Sequence, residues 1–147
     1  THSKDIRENL NDKNGLYNAL KNIGILSIRI KNYDSAMKSL KLSYEIQLDL
    51  DHSDSQLAET QIRILLIKKM LGENLKKREI NKIINQLTEP DYGLQYDIYL
   101  LNGEVKYLRK AYEILKDQAD QLKLEDKTKF FSYPFNKCVL EEYEKIS

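Results

Sequence analysis

Residues 16–50, which read LYNALKNIGILSIRIKNYDSAMKSLKLSYEIQLDL, contain two helical patterns separated by a short polar link. In the first pattern apolar residues recur at steps of three and four, as one face of a helix requires. These residues are Leu16, Leu20, Ile23, Leu26 and Ile30. The facing stripe of the second pattern consists of Ala36, Met37, Leu40, Ser43, Tyr44 and Leu48. Because the link 31–33 is so short, the segment predicts two antiparallel helices in contact.

Small residues occur where the two helices are expected to cross. Two helical backbones approach closely only where their side chains are small, and Gly24, Ala36 and Ser43 meet that condition. A helix pair of this kind buries one face and leaves another free for a ligand. We therefore expect a binding scaffold rather than a catalyst.

The composition favours an all-helical fold and excludes several classes of protein. The 147 residues include only five glycines and two prolines, fewer turn residues than an all-β fold normally uses. The net charge of +1 gives no electrostatic reason to expect nucleic acid or an acidic membrane surface. Cys138 is the only cysteine, so the chain forms no internal disulfide and no multi-cysteine zinc site. These features, and the lack of a long apolar run, are typical of a cytoplasmic protein.

Turn residues divide the chain into repeated segments. We expect a single repeat domain over 1–147, and a fragment of a larger protein since the first residue is Thr1. Its predicted parts are the end of a preceding helix at 1–13, a first pair at 14–50, a second at 54–88, a third at 90–122, and capping helices at 124–147. The cluster 11–15 is expected to form a turn. Aligning Lys31 with Gly72, an offset of 41 residues, superimposes apolar positions of the first two pairs.

Two stretches resemble a known family. Leu10-Asn11-Asp12-Lys13-Asn14-Gly15, followed by Ala19-Leu20-Lys21-Asn22-Ile23-Gly24, resembles the longer, roughly 40-residue type of tetratricopeptide repeat. Such repeats occur in bacterial regulators and in kinesin-light-chain-like adaptors. The resemblance implies helix pairs stacked as a right-handed superhelix, with the first helix of each pair lining a groove.

The C-terminal part is similar to the last stretch of long bacterial arrays of this kind. The similar residues are Tyr99-Leu100-Leu101-Asn102-Gly103, Tyr107-Leu108, Lys110-Ala111-Tyr112, Phe130 and Pro134-Phe135-Asn136-Lys137. Those arrays often end signalling proteins that carry a nucleotide cyclase or ATPase domain upstream. The resemblance therefore implies a sensory or docking segment of a bacterial regulatory protein.

The candidate partner-binding residues lie on the first helices of the first two pairs. On the first they are Asn18, Asn22, Ile25 and Arg29, and on the second they are Glu59, Ile62, Arg63 and Leu66. In the resembling family an Asn placed like Asn22 hydrogen-bonds the backbone of an extended ligand, because its amide both donates and accepts. The alternative interpretation is an ordinary solvated helix face without a ligand.

The function we expect is binding of a protein or peptide partner, with no cofactor, metal, nucleic acid or membrane involved. A different class of function remains open: a structural spacer or homodimerisation segment that controls an attached enzyme domain. Catalysis by the chain itself is not expected, because no nucleophile and base pattern, phosphate loop or metal motif is present. Cys138 is expected to be a buried packing residue, and the tyrosines of 90–122 are expected to pack between helices.

Overall fold

The computed structural model describes residues 2–147, and every regular element in that range is an α-helix, as the composition predicts. The helices are α1 (His2–Arg29), α2 (Tyr33–Asp49), α3 (Asp54–Met70), α4 (Lys77–Ile84), α5 (Tyr92–Asn102), α6 (Val105–Asp120), α7 (Leu124–Ser132) and α8 (Pro134–Ile146). Helix α3 begins at Asp54 and α7 at Leu124, where the second predicted pair and the predicted capping helices begin. The all-α class is therefore confirmed.

The chain forms two compact units, the first ending at Thr88 and the second covering Glu89–Ser147. The second unit begins next to residue 90, where the third helix pair is predicted to begin. The sequence predicts one repeat domain over 1–147, whereas the structure has two compact units. In the first unit α2 packs against both α1 and α3, and α4 packs against α3. In the second, α6 packs against α5 and α8, and α7 packs against α8.

Helix α1 is continuous through residues 11–15, so the predicted turn there, and the separate helix end at 1–13, are wrong. The residues Asn11, Asp12 and Asn14 each disfavour a helix by less than about 1 kcal/mol relative to Ala, and Gly15 by about 1 kcal/mol. The helix turns after residue 15 pack against α2, and this packing outweighs these costs. Once that part of the helix has formed, extending it back through residues 11–15 takes little further free energy.

The C-terminus of α1 is closed by a pair of backbone hydrogen bonds. The amide of Asn32 donates to the carbonyl of Ser27 at 2.8 Å, and the amide of Lys31 donates to that of Ile28 at 3.0 Å. This is a Schellman motif, in which the residue after the C-cap adopts a left-handed conformation. Lys31 takes that position with φ 64°.

Helix α3 ends in the same way. The amide of Glu73 donates to the carbonyl of Lys68 at 3.0 Å, and the amide of Gly72 donates to that of Lys69 at 3.0 Å. Gly72 has φ 94° and occupies the position that Lys31 occupies in α1. Helix α2 also ends in this motif, with Asp51 at φ 53°. The alignment of Lys31 with Gly72 therefore relates residues of the same backbone conformation.

The predicted small residues lie where helices meet. Gly24 of α1 is buried against Leu40 of α2, while Ala36 and Ser43 have no exposed surface. The N-terminus of α3 carries a capping box, because Ser53 Oγ accepts from the amide of Gln56 at 3.2 Å while the Gln56 side chain accepts from the amide of Ser53 at 2.9 Å. The predicted close contact of α1 with α2 is therefore confirmed. Helix α3 begins at Asp54, the position predicted for the start of the second pair.

A buried polar network links the first three helices. The side chain of Gln47 on α2 is fully buried and donates to Tyr17 Oη on α1 at 3.3 Å and to the carbonyl of Gln56 on α3 at 3.0 Å. Its carbonyl accepts from Thr60 Oγ1 at 2.6 Å. The ring of His52 packs edge-on against that of Tyr17, with 4.8 Å between centroids. Because each of these bonds needs one relative position of the helices, the network fixes the packing of α2 on α3.

The second unit is held together by aromatic side chains around a small aliphatic core. Its buried centre consists of Tyr96, Leu108, Ala111, Leu115 and Val139. Tyr96 packs edge-on against Phe135 with 5.5 Å between centroids, and Tyr112 stacks on Tyr143 at 3.8 Å. The expectation that the tyrosines of 90–122 pack between helices is confirmed for Tyr92, Tyr96, Tyr99 and Tyr112, which lie in or against this core.

Candidate protein-interaction face

The four candidate residues of α1 lie on or beside an accessible surface. Asn18 and Asn22 are exposed, and Ile25 and Arg29 are half-buried. Since they are spaced by four, three and four residues, they follow one line along the helix. Asn18 and Asn22 therefore present exposed side-chain amides on this side of α1.

The candidate residues of α3 are mostly inaccessible. Ile62 and Leu66 have no exposed surface, and Arg63 is 4% exposed. The expectation that these residues contact a partner is therefore wrong for this structure, because α3 is packed against both α2 and α4 and is buried on several sides. Glu59 is half-buried and is the one candidate on α3 with an accessible side chain.

The surface of α1 contains no charged residue at any exposed position from 14 to 30. The exposed positions are Asn14, Gly15, Leu16, Asn18, Ala19, Asn22, Ile23, Leu26 and Ile30, which we call the uncharged face. In the chain as a whole 32% of residues are charged, and these are normally concentrated at the surface. Depletion of charge is the compositional mark of the centre of a protein interface.

An apolar stripe runs along this face. Leu16 is 52% exposed, Ile23 49%, Leu26 61% and Ile30 65%, and Ala19 lies between the first two. The sequence predicts that these residues face α2. Because they are exposed, that prediction is wrong. Helix α1 instead buries the neighbouring face, where Tyr17, Gly24, Ser27 and Ile28 lie, because the closest approach to α2 is possible only at Gly24.

Charged groups of α1 and α3 lie near the buried side chain of Tyr17. The Lys21 ammonium lies 6.0 Å from the centroid of the Tyr17 ring. Burial raises the pKa of the Tyr17 hydroxyl, the negative charge of Glu59 raises it further, and the positive charge of Arg63 opposes the shift. Tyr17, Glu59 and Arg63 are therefore close in space, where α1 meets α3.

Other potentially reactive groups do not form a second site in the described part of the chain. Cys138 is exposed, contrary to the sequence expectation, and its sulfur lies 3.2 Å from Tyr96 Oη. Among residues whose side chains are described, no three His, Cys, Asp or Glu side chains are grouped to hold a metal ion. Within residues 2–147, none of the helices combines the length and apolarity needed to cross a bilayer.

Comparison of the chain with protein-family models, with curated proteins and with solved structures finds no match. The uncharged face of α1 is thus the feature of the molecule that points most directly to a function. Sequence reasoning identified its polar edge, Asn18 and Asn22, and missed that its apolar stripe is exposed. Two features of the sequence indicate that this stripe is exposed. No charged residue lies among its members, and Gly24, which permits the closest approach of another helix, lies on the neighbouring face.

Proposed function

We propose that this chain is a non-catalytic protein-interaction module that binds a peptide or partner protein through the uncharged face of α1. The observation that carries the proposal is the apolar stripe Leu16, Ala19, Ile23 and Leu26, exposed within a surface that has no charge. Monomeric proteins rarely leave a contiguous apolar surface uncovered unless it binds something. Asn18 and Asn22 along one edge supply hydrogen bonds that orient the partner.

The proposal includes a tetratricopeptide-like arrangement of the helix pairs within a bacterial regulatory protein. The equivalent helix ends at Lys31 and Gly72 and the close contact of Gly24 with Leu40 support the repeat. The regulatory setting rests on the resemblance of the C-terminal segment. Partner binding would then change the activity of an attached domain.

A capture experiment with the immobilised chain tests this function. The wild-type chain is compared with Ile23→Glu, which places a charge in the middle of the stripe, and with the control Leu42→Glu, which changes an exposed leucine of α2 outside the uncharged face. We expect a partner retained by the wild type and the control to be lost with Ile23→Glu. Asn22→Ala should weaken its retention by a smaller factor, because it removes hydrogen bonds but little apolar area. Equal retention by all four chains would contradict the proposal.

The second candidate is a dimerisation segment, favoured by the spacing of the same stripe. Leu16, Ala19, Ile23, Leu26 and Ile30 alternate steps of three and four, which is the spacing of a coiled-coil seam. Light scattering across a concentration series separates the two candidates. A dimer that Ile23→Glu converts to a monomer would favour this second function.

A further inference from the structure

Apolar residues of α1 and α3 match at an offset of 41 residues, and α3 shows how part of the matching face is covered. The same offset aligns the two helix ends, which are Schellman motifs at Lys31 and Gly72. With the same offset of 41 residues, each stripe position of α1 has a counterpart on α3. In order, Leu16, Ala19, Ile23 and Leu26 correspond to Leu57, Thr60, Ile64 and Ile67.

On α3 this face is covered by α2. Thr60, which is 4% exposed, donates to the side-chain carbonyl of Gln47 at 2.6 Å. One residue further on, Gln61 Nε2 donates to Tyr44 Oη at 3.1 Å. Ile67, on the same face as Thr60, has no exposed surface, whereas its counterpart Leu26 is 61% exposed. Leu57 and Ile64 are half-buried, and Leu71, the counterpart of Ile30, is 53% exposed. The edge of α3 that α2 covers, at Thr60, is therefore the edge that is open on α1 at Ala19.

We propose that the uncharged face of α1 binds an amphipathic α-helix, placed on α1 as α2 is placed on α3. This inference rests on the proposed function and specifies its partner. The length of the face agrees with it, because residues 14–30 span about 25 Å and α2, with 17 residues, spans about the same. The contact side of the partner helix is apolar where it meets Leu16, Ala19 and Ile23, because no exposed position of the face carries a charge.

A single helix fits this surface better than a second copy of the chain. A helix about 10 Å wide lying along 25 Å of α1 has a footprint of about 250 Å². Stable pairing of two proteins normally buries about 800 Å² on each partner. The stripe has the size of one helix and is too small by itself for a contact between two whole proteins, so the choice of occupant rests on the way α2 is placed on α3.

The counterpart of Thr60 determines one feature of the partner's sequence. On α1 the residue that corresponds to Thr60 is Ala19, which has no hydroxyl group to donate. A glutamine of the partner helix placed like Gln47 would therefore be buried without the hydrogen bond that Thr60 gives to Gln47. Burying an amide without its hydrogen bonds is unfavourable. The partner helix therefore has an apolar residue at the position that corresponds to Gln47.

Two synthetic peptides test the inference against the full chain by fluorescence anisotropy. One has the sequence of residues 33–51, and the other carries Gln47→Leu in that sequence. We expect the leucine peptide to bind about tenfold more tightly than the unchanged peptide. In the unchanged peptide the buried Gln47 side chain lacks the hydrogen bond that Thr60 supplies on α3. Its binding should be lost with the chain variants Ile23→Glu and Ala19→Glu and be unchanged with Leu42→Glu. All three changed residues are exposed, so circular dichroism should show unaltered helix content in each variant.

Equal binding of the two peptides, or no binding by either, would overturn the inference. Binding of a proline-containing leucine peptide that forms no helix, as tight as that of the helical one, would also overturn it. A chain that dimerises in light scattering, and becomes monomeric with Ile23→Glu, would assign the face to a second copy instead. If a captured partner depends on Ile23 while no helical peptide binds, the proposed function stands and the helical partner is wrong.

Discussion

Gly24 of α1 lies directly against Leu40 of α2, so that a Cβ atom on Gly24 would be 2.6 Å from both Cγ and Cδ2 of that leucine. Leu40 is 1% exposed, and its side chain has little room to move away. This contact determines which face of α1 is buried, and therefore which face remains open to a partner.

Two glycine substitutions in α1 should have opposite effects. Gly24→Ala should lower the free energy of unfolding by about 1–3 kcal/mol, because the added methyl group overpacks the contact with Leu40. Gly15→Ala should raise it by up to about 1 kcal/mol, because alanine favours the helix and nothing lies within 4 Å of the added atom. Urea denaturation followed by circular dichroism measures both. A stabilising Gly24→Ala would mean that α1 and α2 are further apart than described.

The equivalent helix ends at Lys31 and Gly72 give a second pair of opposite effects. Lys31→Gly should stabilise the chain by about 0.5–1 kcal/mol, because a lysine at φ 64° is strained and glycine is not. Gly72→Ala should destabilise it by about 1 kcal/mol, because alanine is strained at φ 94° even though there is space for its side chain. Thermal unfolding of the two variants checks the signs. The same sign for both would contradict the equivalence of the two helix ends.

Replacing Gln47 should disrupt the polar network of the first unit. Gln47→Leu leaves Thr60 Oγ1 and the hydroxyl of Tyr17 without their buried partner, and should lower the free energy of unfolding by about 1–3 kcal/mol. The matched control is Gln61→Leu, which removes a half-buried hydrogen bond to Tyr44 and should cost less than about 1 kcal/mol. Denaturant midpoints compare the two, and a larger loss for the control would show that the network is unimportant.

The stability of the chain should fall above about pH 10 in part because of Tyr17. Burial raises the pKa of this hydroxyl in the folded state. As the pH rises past the ordinary tyrosine value, the unfolded chain ionises first and is stabilised relative to the folded chain. The contribution of Tyr17 is therefore complete below that value and is lost as the pH rises through the folded pKa. Urea denaturation at pH 9 and pH 11 should show a smaller loss for Tyr17→Phe than for the wild type, and an equal loss would assign the effect to other tyrosines.

Local signals in the sequence identified most of the helices and their ends. Ser53 and Gln56 form a capping box at the start of α3, and Gly103 ends α5 with φ 73°. These features depend on residues within a few positions of one another, so they can be read directly. The cluster 11–15 was misread for the same reason, because its local preference for a turn is weaker than the packing of the helix to which it belongs.

The sequence by itself determined the helical class, the place of the close contact at Gly24, and the 41-residue relation between Lys31 and Gly72. It also predicted one apolar stripe on α1, from Leu16 to Ile30, as the face toward α2, because helical spacing shows which residues share a face but not what that face contacts. Only the tertiary structure decided that α2 takes the side of Tyr17 and Gly24 and leaves Leu16, Ile23 and Leu26 exposed. The physical reason is that burial depends on which backbone approach is sterically possible, and that depends on both helices at once.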